Sequence, residues 1–204
     1  MNDGLAAQSP ADETPEHALM LTGIGGQGIQ LVAKTLASAF TRQGRFAMLG
    51  AEYGGEMRGG PSQATVVVGD APLRSLPVVA RAHSAILFHD RFCAPTLERL
   101  SHDGLCLVNG SVVDEPVAAD RPRRIAVPAT ATAKEIGAPQ TAGFVLLGAY
   151  VHLTGDALGP LVPLDVLGEA MVELLPPYRR QHAASNHEAL AAGAELVRSI
   201  GVSA

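Results

Sequence analysis

Short apolar runs alternate with amphipathic stretches along this chain. Residues 18–24 (Ala-Leu-Met-Leu-Thr-Gly-Ile) are an apolar run that stops in glycines, the pattern of a buried strand. Apolar residues then recur at Ile29, Val32, Leu36 and Phe40, spacings of three and four that place one stripe on one helix face. Gly44 is read as the stop of that helix. Further strands are expected at 45–51, at 63–69 with β-branched residues and a turn at Gly69-Asp70, at 85–89, at 104–109 and at 124–127. A helix is expected over 92–100. From residue 130 the period turns helical, over 130–136, 143–153, 164–175 and 186–200, with 158–163 and Pro176-Pro177 as loops. Strands alternating with helices predict an α/β fold. The expected architecture is a single Rossmann-like domain: a mostly parallel sheet, helices on both faces and a helical C-terminal part.

Composition narrows this. A chain of 204 residues suits one domain with a real core. Trp is absent and aromatics make up only 4%, so Ala, Val, Leu and Ile must build the core, and abundant small residues allow close approach of backbones. Residues 1–17 are read as a disordered acidic leader and 18–204 as the α/β domain. The leader carries Asp3, Asp12, Glu13 and Glu16 without Lys or Arg, which accounts for four of the five net negative charges. The remaining body is close to neutral, which argues against nucleic acid as a partner. No apolar run reaches transmembrane length and the start does not read as a signal peptide, so a cytoplasmic location without a membrane partner is expected. The two cysteines, Cys93 and Cys106, are too few for a disulfide framework or a Cys-rich metal site. An iron–sulfur cluster needs about four thiolates, so this chain cannot ligate one alone. Both are read as small buried residues.

Two glycine clusters carry the candidate chemistry. In the first, Thr22-Gly-Ile-Gly-Gly-Gln-Gly28, the glycines at 23, 25 and 28 match the spacing G-x-G-x-x-G where a strand gives way to a helix. Glycines allow positive φ and close backbone approach, and the helix N-terminus presents free N–H groups and positive potential to a phosphate. A tight turn with no ligand is the plain alternative. A dinucleotide site is another, with Glu52 as the acid at the end of the second strand. The second cluster, Glu52-Tyr-Gly-Gly-Glu-Met-Arg-Gly-Gly-Pro61, follows that strand. Loops at the carboxyl ends of parallel strands gather around one crevice, so the clusters are expected to face each other. Arg58 is then placed to clamp an anion with its planar fork. A solvated hinge remains the alternative.

These two motifs, with a late Asn186-x-x-Ala189-x-x-x-Gly193, resemble the gamma subunit or gamma domain of the 2-oxoacid:ferredoxin oxidoreductases. The resemblance runs from about Leu19 to Gly193. It implies oxidative decarboxylation of a 2-oxoacid to an acyl-coenzyme A by a multi-subunit enzyme in which this chain is a non-redox subunit, inactive alone. Thiamine diphosphate and the iron–sulfur clusters would sit on partners: alpha and beta (thiamine-binding) subunits and a ferredoxin-like subunit. Coenzyme A would lie at the glycine loop. Carried over by position, Gly25, Gly26, Gln27 and Gly28 would cradle its phosphates and Arg58 would neutralise one, beside Gly59 and Gly60. The chain departs from the family pattern at Gly55, where Pro is frequent, near His83, where an acid is usual, and at Gly143, where Asn is usual.

Other polar residues offer less. Asp90 and Asn109-Gly-Ser111 follow strands at the expected crevice, and Asn109 is taken as a candidate ligand contact. Lys34 is read as a surface lysine. The histidines at 83, 89, 102, 152, 182 and 187 show no metal-ligand spacing, and no Ser-His-Asp or Cys-His set stands out.

Overall fold

The computed structural model describes residues 16–54, 59–74, 76–113, 123–155 and 162–199. Among them one sheet contains β1 (His17–Ile24), β2 (Phe46–Tyr53), β3 (Pro61–Gly69), β4 (Ala82–Leu87), β5 (Leu100–Asn109) and β6 (Arg123–Val127), in the order β2-β3-β1-β4-β5-β6. The helices are α1 (Ile29–Arg42), α2 (Ala94–Arg99), α3 (Ala129–Glu135), α4 (Ala142–Thr154), α5 (Leu164–Leu174) and α6 (Ala183–Ser199).

The sheet is mostly parallel, as expected: β1 pairs with β4, β4 with β5 and β5 with β6 in parallel. One strand is reversed. β3 lies between β1 and β2 and runs antiparallel to both. Chain length explains it, since the connection 54–60 suffices for a hairpin while a parallel crossover needs a dozen or more residues. The crossover from β1 to β2 is α1, which packs over β3 and β2. Its stripe of Ile29, Val32, Leu36 and Phe40 is buried. Its end is a Schellman motif: the Gly44 N–H donates to the Thr41 carbonyl and the Arg45 N–H to the Phe40 carbonyl, with Gly44 at φ 79°.

Helices cover both faces, but unequally. On one face Leu19, Leu21, Val66, Ile86 and Leu107 meet α1, α3, α4, α5 and α6 in a single core. On the other, Ala85, Leu87, Cys106 and Val108 pack with Cys93, Leu97 and Leu100, from and around the short α2. Both cysteines are thus small buried core residues. Burial pushes the Cys106 thiol up to about 11, which suits an inert packing role.

α4 is buried almost all round, as an apolar helix without a polar face must be. Its partner is α6. A Cβ on Gly148 would stand 2.0 Å from the Leu190 carbonyl oxygen, and one on Gly193 would stand 1.9 Å from that of Val145. The two helices therefore touch backbone to backbone through a glycine from each. Asn186 and Ala189 lie on the same buried stripe of α6, and the Asn186 amide donates to Met171 Sδ on α5 at 3.4 Å. The late Asn-Ala-Gly motif is thus the packing seam of the C-terminal helices.

Candidate functional site

β1 ends at Ile24, and the chain turns through Gly25, Gly26 and Gln27 before Gly28 caps α1. Two residues in the turn need positive φ: Gly26 at 103° and Gly28 at 77°. An L-residue in that region costs about 1–2 kcal/mol. Nothing lies within 4 Å of where a Cβ on either would sit, so the backbone there borders open space. As a cap, Gly28 supplies no side-chain bond, so the N–H groups of the first turn of α1 have no partner inside the helix.

The glycine clusters do face each other. The Gly25 N–H donates to the Gly60 carbonyl at 2.8 Å, and a Cβ on Gly25 would stand 3.6 Å from the Gly59 nitrogen. Gly59 has φ 75°. The Gly54 N–H donates to the Pro61 carbonyl at 2.9 Å and closes the neck of the hairpin. Arg58, the expected anion clamp, lies outside the described residues, as does Gly55.

Gln27 is committed to the fold. Its Oε1 accepts from the Ile24 N–H at 2.9 Å, its Nε2 donates to the Phe88 carbonyl at 3.3 Å, and its own N–H reaches the Ile24 carbonyl at 3.3 Å. Its side chain braces the turn. Asn109 is likewise bonded within the fold and is 2% exposed. Its Nδ2 donates to the Phe88 carbonyl at 3.3 Å and to Thr130 Oγ1 at 2.8 Å, while its Oδ1 accepts from the Ser111 and Thr130 N–H groups at 3.3 Å each. Helix α3 starts after Pro128, which offers no side-chain cap, and Asn109 with Ser111 caps it from the end of β5: Ser111 Oγ accepts from the Ala131 N–H at 3.2 Å. The Phe88 carbonyl, just past β4, thus joins the glycine turn to the β5 end.

Gly143, where the family pattern has Asn, stands at the start of α4 against this junction. A Cβ there would meet Val32 at 2.9 Å, the Phe88 ring at 3.0 Å and the Gln27 carbonyl oxygen at 3.6 Å. No side chain fits without repacking. Glu52 does not sit as a ribose-binding acid would. β3 separates its strand from β1, about 10 Å away in all, and Glu52 is exposed on the face opposite Leu49, which packs toward α1. Lys34 is exposed on α1. His83 stacks on His17 at the far end of β4, with ring centroids 4.8 Å apart.

One segment at the crevice carries no glycine signal in the sequence. After β4, Asp90 Oδ1 pairs with His89 Nδ1 and also accepts from the Arg91 N–H at 2.7 Å. Cys93 Sγ donates to the His89 carbonyl at 2.6 Å. Phe92 takes φ 68°, the only non-glycine with positive φ among the described residues, and the Arg91 guanidinium lies 5.2 Å from its ring centroid.

Comparison with known proteins places this arrangement. The family described as pyruvate ferredoxin/flavodoxin oxidoreductase matches residues 18–196. The chain is 31% identical over 192 residues to the 2-oxoglutarate synthase subunit KorC of Methanothermobacter thermautotrophicus, over 88% of this chain and 94% of the relative. The keto/oxoacid ferredoxin oxidoreductase gamma subunit of Geobacter sulfurreducens is 25% identical, with a TM-score of 0.74 over 91% of this chain and 98% of that one. The 2-oxoglutarate:ferredoxin oxidoreductase of Magnetococcus marinus, solved with 2-oxoglutarate, coenzyme A and succinyl-CoA bound, shares the fold at 20% identity, with a TM-score of 0.79 over 92% of this chain and 32% of its own. The chain that folds its two glycine clusters into one junction belongs to the pyruvate ferredoxin/flavodoxin oxidoreductase family, as a gamma-type subunit.

Proposed function

We propose that this chain helps hold coenzyme A in a multi-subunit 2-oxoacid:acceptor oxidoreductase and bridges the subunits that carry the redox centres. The observation that carries the reading is the junction of the two glycine loops at the start of α1, closed by the Gly25–Gly60 hydrogen bond. The open backbone at Gly26 and Gly28 fits a phosphate, because N–H groups without a helical partner and the positive end of α1 point there and a methyl group would fill the approach. The Magnetococcus enzyme, which shares the fold, was solved with coenzyme A bound. In this division of labour thiamine diphosphate supplies decarboxylation and iron–sulfur clusters carry electrons, both on partner chains, and this chain supplies binding and orientation.

The test is assembly and half-reaction. The tagged chain should co-purify with thiamine-binding and iron–sulfur subunits. In that complex a 2-oxoacid should reduce the clusters, and added coenzyme A should accelerate the reduction. The chain alone should be colourless and show no turnover. Turnover by the isolated chain, or a complex indifferent to coenzyme A, would overturn the reading.

A further inference from the structure

In an open α/β sheet, ligands settle outside the carboxyl ends of two neighbouring parallel strands whose connections leave to opposite faces. β1 and β4 are such a pair. They are adjacent and parallel. β1 leads into α1, whose Ile29, Val32 and Leu36 join the core of one face. β4 leads toward α2, and Cys93 and Leu97 join the core of the other. The crevice at this switch has two walls. One is the glycine turn, 24–28. The other is the segment His89-Asp90-Arg91-Phe92, which begins one residue past the Phe88 carbonyl that accepts from Gln27 Nε2.

That second wall is built. The His89–Asp90 pair, the bond from the Arg91 N–H to Asp90 Oδ1 and the Cys93 thiol on the His89 carbonyl brace it. At its tip a bulky residue, Phe92, is held in the left-handed region that such residues avoid. The consequence is local: the exposed Arg91 spreads over the Phe92 ring, and among the described residues no carboxylate pairs with its guanidinium. A guanidinium held over an aromatic face keeps its N–H donors for an oxyanion.

We infer that Arg91, seated on Phe92, binds the third phosphate of the ligand whose diphosphate lies on the glycine turn. This deepens the coenzyme A reading and rests on it. The chemical class is an adenine nucleotide thiol that carries a phosphomonoester on its ribose in addition to its diphosphate bridge. Arg91 then selects coenzyme A over the same molecule without that monoester. Phe92 is a positioning residue.

The experiment uses the assembled complex, with 2-oxoacid-driven viologen reduction, and compares the KM for coenzyme A with that for dephospho-coenzyme A. Wild type should prefer coenzyme A by roughly tenfold to a hundredfold, the size of one charge-assisted contact. In Arg91→Gln that ratio should fall toward one, because coenzyme A weakens while dephospho-coenzyme A does not. Arg91→Lys should restore part of it, and Phe92→Asn, which tolerates the left-handed backbone but lacks the ring, should lower it as well. A wild-type ratio near one, or an unchanged ratio in Arg91→Gln, overturns the assignment. The underlying reading fails differently: there, substitution in the glycine turn would leave the KM for both ligands as in wild type.

Discussion

The Gly25 N–H donates to the Gly60 carbonyl at 2.8 Å, and this bond ties the turn that starts α1 to the hairpin that starts β3. It exists because β3 runs antiparallel beside β1, so that Ile24 pairs with Pro61 and the hairpin mouth opens at the carboxyl end of β1. The reversed strand is therefore what places the second glycine cluster against the first.

Gly28→Ala separates a binding role from a folding role when set beside Gly44→Ala. The two glycines bracket the same helix, at φ 77° and 79°, and neither has an atom within 4 Å of its missing Cβ. Each substitution should cost about 1–2 kcal/mol of stability through backbone strain alone. Only Gly28→Ala should raise the KM for coenzyme A, because its methyl group projects into the space assigned to phosphate. Urea midpoints and coenzyme A titrations of both variants check this, and equal effects on KM would make the first cluster a turn only.

Arg58→Ala should raise the KM for coenzyme A roughly tenfold to a hundredfold, as expected for a lost charge-assisted bond of about 1.5–3 kcal/mol. The KM for the 2-oxoacid should move less. Arg58 is the anion clamp expected from the sequence, next in the chain to Gly59 and Gly60, which lie against Gly25. Steady-state kinetics of the assembled enzyme decide it, and unchanged coenzyme A kinetics would remove Arg58 from the site.

Much of the fold was legible because the signals were local. The stripe Ile29, Val32, Leu36, Phe40 and the stop at Gly44 specify a helix within one short window, and the structure has that helix. The direction of β3 is not carried by apolar period; it follows from the β2–β3 connection, which is too short for a parallel crossover. Gln27 and Asn109 lie at the expected end of the sheet, but their amides are taken up within the fold, by Ile24 and Ser111 close by in the chain and by Phe88 and Thr130 from other elements. Arg91 and Phe92 left no trace, because a left-handed phenylalanine carries none of the glycine or asparagine signature by which such positions are read. The late Asn-Ala-Gly motif was seen, while its purpose as a packing seam needed the second helix in place.

That seam yields a steep prediction. Gly193→Ala puts a methyl carbon 1.9 Å from the Val145 carbonyl oxygen, a rigid backbone atom inside α4. The helices must part, and the loss should reach or exceed about 3 kcal/mol, the upper end of overpacking costs. α4 also begins at the glycine junction, where Gly143 abuts the Phe88 ring, so the KM for coenzyme A should rise in whatever protein still assembles. Urea unfolding followed by circular dichroism checks the first effect. A loss below about 1 kcal/mol would mean that the helices slide past each other at little cost.

At the opposite end of the sheet, His17 should make stability depend on pH. Burial first, then the neighbouring His83 and Arg45, lower its pKa from 6.5 to about 3. The neutral ring bonds through Nε2 to Ser84 Oγ at 2.9 Å, and Ser84 Oγ bonds to the buried Tyr150 hydroxyl at 2.8 Å. In the unfolded chain His17 takes up its proton near pH 6.5; in the folded protein it does so only near 3. Between those values the unfolded state holds more protons, so stability falls as pH falls across that window and is indifferent to His17 above it. At about pH 5 the loss amounts to roughly 2 kcal/mol. His17→Gln retains a hydrogen-bonding side chain that does not titrate. Its stability should therefore drop less than that of wild type between pH 7.5 and 5, with the titration of all other groups common to both proteins. Urea midpoints at a series of pH values give the comparison. Parallel curves would show that His17 is protonated in the folded protein as readily as in the unfolded one, and that the polar chain from His17 through Ser84 to Tyr150 does not exclude the charge.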